Sequence, residues 1–390
     1  MRLGAAIAGK MEVLKTTSTP RMDSTQRTKL MQRWTVVQHE LMVELRSEVG
    51  ALTPKLEKLI HTLEWVRIEE FVGSTWSGVG RPPHDRGALA NAFVAKAVLG
   101  LATTAALIER LRIDRALKRI CGFAVWKRLP DESSFSRAFA EFAEAKLAER
   151  VHEALVKEYL GSELIGHISR DGTAIEAREA PVKRLPVTTE PIARKTRRGR
   201  PKKGEVREAK LKRIGRQLRQ TLKEILAELP KTCDRGSKCN AQGYRNSWNG
   251  YKLHLDTADC GVPVSALLTS ASVHDSQAAV PLSMMTLNRV TNLYDLMDAA
   301  YCSDELRTYS RSLGHVPLID HNPRRGEKKA FAPHEAQRYK ERTQAERTNA
   351  RLKDDFGGRY IRVRGHAKVM SHLMFGVLAL STDQLMRLLT

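Results

Sequence analysis

Between Arg338 and Phe356 the chain reads RYKERTQAERTNARLKDDF, and helical spacing puts Tyr339, Arg342, Glu346 and Lys353 on one face of a single helix. At about 100° per residue these four fall within an arc of roughly 60°. One carboxylate therefore sits among cations, flanked by an aromatic ring that can stack. Such a set is a poor core and suits a metal ion held beside a phosphodiester. The plain alternative is a solvated helix laced with i,i+4 charge pairs, in which Arg342 pairs with Glu346 and nothing more. Charge and the order of elements elsewhere in the chain decide between the two.

The chain holds 66 Lys+Arg against 44 Asp+Glu, a formal net charge of +22. A balance this basic points to a polyanionic partner, nucleic acid above all. The charge is uneven, because residues 181–230 carry 16 Lys/Arg and only 5 Asp/Glu. An anionic membrane surface would accept the same charge, but no lipidation motif and no uninterrupted apolar run of about 18 residues is present. The apolar stretches near 93–111 and 366–390 are broken by Lys96, Ser371, His372, Asp383 and Arg387, and read as buried helices. The five cysteines are scattered without a CxxC, which argues against a disulfide framework and for a reduced, cytoplasmic setting. Cys233, Cys239, His254 and Cys260 match no usual zinc spacing.

Composition divides the chain in three. Residues 1–30 are polar and basic, with an apolar stretch too short for a secretory signal, and are expected to be a disordered arm. Residues 31–160 read as an all-α N-terminal domain, with helices near 114–121 and 133–158. The second should be capped by Asp131, Ser133 or Ser134. The pair suits a DNA-binding helix-turn-helix or ordinary bundle helices. From 161 to 390 strands alternate with helices, which predicts an α/β domain with a mixed sheet. Its strands are expected at 164–177, 250–257, 261–272, 292–298, 316–321 and 359–365, with helices at 272–287, 303–313 and 339–353. Asp171 lies on the first strand, Asp298 at the end of the fourth, and Glu346 on a later helix. Singly each acid is explained as a cap, a turn former or a surface charge. Together, in so basic a chain, they suggest a carboxylate cluster relieved by divalent cations.

The helix spells Y-x2-R-x3-E-x6-K without departure, and in this the chain resembles the insertion-sequence DDE transposases. SRDGTAIEARE, NSWNGYKLHLD, SVHDS and LMDAAYCSDELR are similar to that superfamily too, as is PDESSFSRAF to the helical region preceding such cores. The resemblance spans about 90 to 390. It implies an RNase H-like fold with Asp171, Asp298 and Glu346 as catalytic metal ligands. The cofactor would be two Mg²⁺ (or Mn²⁺) ions about 3.5–4 Å apart. Asp171 would bridge both ions, Asp298 would bind one and Glu346 the other. Arg342 and Lys353 would hold phosphates of the transposon end, and Tyr339 would contact the same backbone or stack on a base. The implied partners are double-stranded DNA, as transposon ends and as target, and a second copy of the chain in a DNA-end complex. The implied location is the bacterial nucleoid. Two rivals stand beside this reading: an inactive or domesticated DNA-binding remnant, and an RNase H-like nuclease acting in repair or on RNA.

Asp295, Glu176 and Asp275 compete for a place in the cluster. Asp295 precedes Asp298 by three residues, so in an extended strand the two face opposite sides and Asp298 is the better ligand. Glu176 should already have left the first strand. Asp275 reads as a helix N-cap or as support for the cluster.

A basic, helical insertion is expected at about 178–243. Its RRGRPKKG segment resembles an AT-hook, in which Arg198, Arg200, Lys202 and Lys203 would enter a narrow minor groove; a basic linker is the alternative. A leucine-rich helix should follow at 205–229. Trp248, among Arg245, Lys252 and two tyrosines, suits either an unpaired DNA base or the core.

Overall fold

The computed structural model describes residues 28, 31–32, 34–73, 83–182, 211–239, 242–323 and 327–389. The arm expected at 1–30 and the AT-hook-like residues Arg198, Arg200, Lys202 and Lys203 lie outside these, Thr28 excepted.

Among the described residues the N-terminal region contains helices and no strand. Its helices are α1 (Met42–Val49), α2 (Pro54–Val66), α3 (Arg86–Val98), α4 (Thr104–Ile113), α5 (Arg115–Ile120), α6 (Glu132–Glu144) and α7 (Leu147–Leu160). The starts follow local chemistry. Thr53 caps α2 ahead of Pro54, Asp85 caps α3, Thr103 caps α4 and Asp114 caps α5, each side-chain oxygen taking an orphan N–H of the first turn. The expected helix at 133–158 is instead two. Ala145 closes α6, and Lys146 turns left-handed at φ 49° before α7 begins. Asp131 stands at the N-cap of α6, but its carboxylate makes no capping bond and faces Arg128 at 3.8 Å.

The sheet follows, and the expected fold class holds: mixed α/β and RNase H-like, with flanking helices and a helical region before it. β1 (Leu164–Glu176) is its centre. β3 (Arg245–Ala258) lies antiparallel to β1, whereas β5 (Thr291–Met297) and then β6 (Val316–Ile319) are added in parallel. The other edge of β3 is shared by two strands. β4 (Pro263–Ser270) pairs with residues 251–257, and β2 (Asp234–Cys239) pairs with residues 245–250. The partner changes at Gly250, where an added Cβ would lie 2.1 Å from the Ile175 carbonyl oxygen at φ 152°. Glycine alone fits there.

Several expected bounds shift. β2 falls inside the segment read as insertion. The leucine-rich helix is two short ones, α8 (Arg213–Gln217) and α9 (Leu222–Glu228), because Thr221 starts a new helix through a capping box with Glu224. Leu211 and Leu218 stay exposed, while Ile225 and Leu229 are buried. Glu176 remains in β1 as its last residue. Residues 359–365 form no strand: they run extended beside the core without a ladder partner among the described residues.

Helices α10 (Ser276–Leu287) and α11 (Asp304–Ser312) accompany the parallel strands. The helix expected at 339–353 is interrupted. α12 (Pro333–Tyr339) passes through a 3₁₀ turn at Lys340–Arg342 into α13 (Thr343–Asp354). The turn is drawn onto the sheet, since Ser169 of β1 donates to the Glu341 carbonyl at 3.4 Å and the Tyr339 hydroxyl donates to that of Met297 at 3.1 Å.

α14 (His366–Leu389) is apolar on nearly every side, the mark of an enclosed helix. It packs against α2, α3, α6 and α7 as well as β4, so helical region and sheet share one core. Phe93, Phe139 and Phe375 meet there, with ring centroids 4.8 Å apart for the first two. Asp383 on α14 joins three helices: Lys58 of α2 reaches it at 2.5 Å, and Arg351 of α13 also bonds it. Arg351 donates to Gln384 at 2.8 Å as well, so α13 is fixed at its C-terminal end.

Burial of histidines gives this core a pH dependence. His152 bonds the Pro263 carbonyl, His372 bonds that of Gly357, and burial pushes both pKa values down to about 3. Folded, both stay neutral; unfolded, both take a proton below about pH 6.5. Their contribution is therefore complete above pH 6.5 and is lost as pH falls towards 3. Urea midpoints should drop steadily from pH 7 to 4, by a few kcal/mol in unfolding free energy, with a shallower slope in His152→Asn. Buried Glu149 and Asp259, whose pKa values are raised by burial, act in the opposite sense, so a flat profile would mean that the acids offset the histidines and a reversed slope that they dominate.

Candidate active site

The parallel ladder between β1 and β5 ends at Arg170↔Met297, so Asp171 and Asp298 are the next residues at adjoining strand positions. Alternation sends Arg170 to the opposite face from Asp171. There it makes a fully buried bidentate pair with Asp256 at 2.6 and 2.7 Å. Asp295 likewise faces away from Asp171, held by Ser310, His315 and Asn292, while Asp298 follows the last residue of β5.

Asp171 is mostly buried and accepts a 2.9 Å hydrogen bond from Asn349 of α13. Its pKa is raised to about 6, by burial first and also by the charge of Asp298, with Lys238, Arg342 and the Asn349 hydrogen bond opposing the rise. Asp298 is raised in the same direction by burial, against the N–H of Ala300, which it caps at 2.9 Å. The expected turn-former role is thus real, and it coexists with a place beside Asp171. Asp275 adds a third charge. It stands at the N-cap position of α10 yet makes no capping bond, and its carboxylate turns to Lys252 at 3.0 Å and His254 at 3.6 Å beneath Gly172. That charge is felt at Asp298.

Glu346 does not complete the set. Its half-exposed carboxylate bonds Arg342 one turn earlier on the helix. Among the described residues no three His, Cys, Asp or Glu side chains converge closely enough to hold a metal ion. The expected triad is therefore two acids side by side, with the third one helical turn from Asn349. The reason is local: an i,i+4 guanidinium is the nearest counter-charge for Glu346. Arg342 does more than pair, however. Its guanidinium is also 4.0 Å from Asp171 and 5.9 Å from the Tyr339 ring centroid. Lys353 is half-buried, and its pKa is lowered by burial and by Arg359, while Glu176 and Asp171 act to raise it. Arg342, Asn349 and Lys353 thus all bear on Asp171 from this segment, despite the break in the helix.

Trp248 serves the β2–β3 ribbon. Its Nε1–H donates to the Tyr251 carbonyl at 2.9 Å, and its ring covers Gly236, its partner in register. Sequence reasoning passed over Lys238 and Asn349. Lys238 has no motif around it and comes near the acids only because β2 pairs with β3. Asn349 was legible in principle, lying three residues beyond Glu346 on one helical face.

The donor set bears on a metal. Two buried carboxylates that disfavour each other's charge are hard oxygen ligands, and Asp171 and Asp298 fit a divalent cation. Glu346 fits only if its side chain leaves Arg342.

An RNase H-like sheet with two acids at adjoining positions past the end of its β1–β5 ladder defines the class, and comparison with known families gives the same answer. Residues 171–381 match the Transposase DDE domain and residues 44–141 match Transposase domain (DUF772). The first match covers more than half of the chain and begins at Asp171, so the chain belongs to the DDE-domain transposases, of insertion-sequence type. No curated protein and no solved structure matches it. Among the described residues no helix is long and apolar enough to cross a membrane.

Proposed function

We propose that this chain binds the terminal inverted repeats of its insertion sequence and catalyses metal-dependent strand cleavage and strand transfer. The observation that carries this is the placement of Asp171 and Asp298 at adjoining positions just past the end of the parallel β1–β5 ladder, beside a segment that presents Arg342 and Asn349 to Asp171. Asp171, Asp298 and Glu346 would hold Mg²⁺ or Mn²⁺. Bound there, two such ions would supply charge neutralisation and a nucleophile at neutral pH. The chain's own residues do the rest. Asn349 orients the Asp171 carboxylate, and the buried Arg170–Asp256 pair anchors the backbone one residue before it. Arg342 and Lys353 place positive charge where a phosphodiester would lie, and Tyr339 steadies Arg342. Residues 31–160 would form the DNA-binding region and 161–390 the catalytic one, working as a homodimer on paired ends at the nucleoid. The basic 197–204 segment and Trp248 are secondary DNA contacts in this reading.

The test is to incubate purified protein with a DNA fragment carrying the element's own end, with Mg²⁺ and with EDTA. Nicking at the element boundary only with Mg²⁺ supports the proposal; no cutting under either condition refutes it. A DNA-binding chain without cleavage is the second reading, favoured by the pairing of Glu346 with Arg342. Arg342→Ala should leave the melting temperature unchanged, weaken end binding and lower the salt slope by about 1. Unchanged binding and strand transfer would return Arg342 to a simple helix pair.

A further inference from the structure

We propose that a second DNA contact, separate from the acids, lies in the cleft between the helical region and residues 359–365, where it grips the phosphate backbone. This rests on the transposase reading and adds a binding surface to it. The cleft encloses about 470 Å³, and Arg178, Arg362, Arg364 and Lys368 line it against the single carboxylate of Glu132. An adjoining lobe of about 440 Å³ reaches Lys96. The four rim cations are exposed, and none has an ion-pair partner among the described residues. Lys96 is the second sign of an anion site. It is 8% exposed, has no hydrogen-bond or ion-pair partner among the described residues, and borders the lobe beside Thr104, the first residue of α4. A buried ammonium near the amide end of a ten-residue helix suits a phosphate.

The extended run explains how the arginines are presented. Ile361 is buried and Val363 half-buried, so Arg362 and Arg364 alternate outward. Glu179 holds the end of the run, accepting from the Gly365 N–H at 3.2 Å and from the Tyr251 hydroxyl, while Arg178 donates to the Arg362 carbonyl at 3.5 Å. The cleft also lies on a path from the acids. Lys353 senses both Asp171 and Arg359, and Arg178 follows two residues after the end of β1. Arg178 lies seven residues on from Asp171, at most roughly 23 Å at about 3.3 Å per residue. At about 3.4 Å per base pair, that places the gripped phosphates within roughly seven pairs of the reacting one.

The triple variant Arg178→Ala/Arg362→Ala/Arg364→Ala decides the matter, using fluorescence anisotropy with two short duplexes, the element's end and an unrelated sequence. Backbone contacts carry no sequence information, so affinity should fall about tenfold or more on both. The log–log salt slope should shrink by about 2 to 3. The corresponding triple lysine variant should recover most of the affinity, and an unchanged melting temperature excludes misfolding. If the wild type binds and cuts while the triple alanine variant keeps its affinity and slope, the cleft is no DNA contact and the transposase reading stands. A loss confined to the element's end would replace backbone grip with base readout. A wild type that binds neither duplex overturns both proposals.

Discussion

Asp171→Ala and Asp298→Ala proteins are expected to bind end DNA as the parent does and to leave it uncut. Both side chains are mostly buried and lie at the C-terminal edge of the sheet, where neither is a keystone of the core. Asp171 has one hydrogen bond to lose, to Asn349, and Asp298 one, to Ala300. Burial already weighs against the charge of Asp171, so its removal should not cost stability. If the carboxylates hold a cation that supplies several kcal/mol to the transition state, cleavage should fall about a thousandfold or more in each. Glu346→Ala is the sharper case, because in this structure that carboxylate pairs with Arg342. A comparable loss shows that Glu346 joins the acids during reaction. Wild-type cutting in Glu346→Ala would remove it from the site and leave a two-acid centre. Cleavage retained in Asp171→Ala or Asp298→Ala would end the metal proposal.

The largest effect on stability should come from Asp256→Ala. Asp256 is 0% exposed and Arg170 2%, and the two form a bidentate pair to which the Thr286 hydroxyl adds a 2.7 Å bond. Removing the carboxylate leaves a buried guanidinium without its bidentate partner and with only the charge of Asp295 to oppose it, which costs about 3–5 kcal/mol. Urea unfolding should show that loss, and cleavage should decline too, since Arg170 sits one residue before Asp171. Replacing both partners, as Arg170→Met with Asp256→Leu, should restore most of the stability, because apolar packing serves the site nearly as well. A single variant as stable as the parent would show that water reaches the guanidinium.

Much of the architecture was legible in the sequence. Apolar runs bounded by turn residues marked β3, β4 and β5, and the Asp-Cys-Gly turn before β4 was readable from its glycine, at φ 81°. Alternation within β5 separated Asp298 from Asp295. The errors have physical causes. Residues 359–365 alternate as a strand does, yet strand character needs a ladder partner, and none of the described strands pairs with them. Residues 133–158 carry helical spacing across a break that depends on one left-handed lysine. The helix of Arg342 and Glu346 was read as continuous, whereas contacts from Ser169 and Met297 tighten it into a 3₁₀ turn.

The sequence by itself determined the side-chain chemistry: a strongly cationic chain, two strand-borne aspartates, and a glutamate spaced among an arginine, a tyrosine and a lysine. Periodicity and charge are local properties, so they survive in a linear reading. Only the tertiary structure decided the encounters. The β1–β5 register set Asp171 beside Asp298, β2 brought Lys238 to them, and Asp275 turned from its helix toward Lys252. Glu346 went to Arg342, and the arginines of a failed strand came to line a cleft. Such outcomes rest on contacts between residues far apart in the chain, whose energies no local pattern encodes.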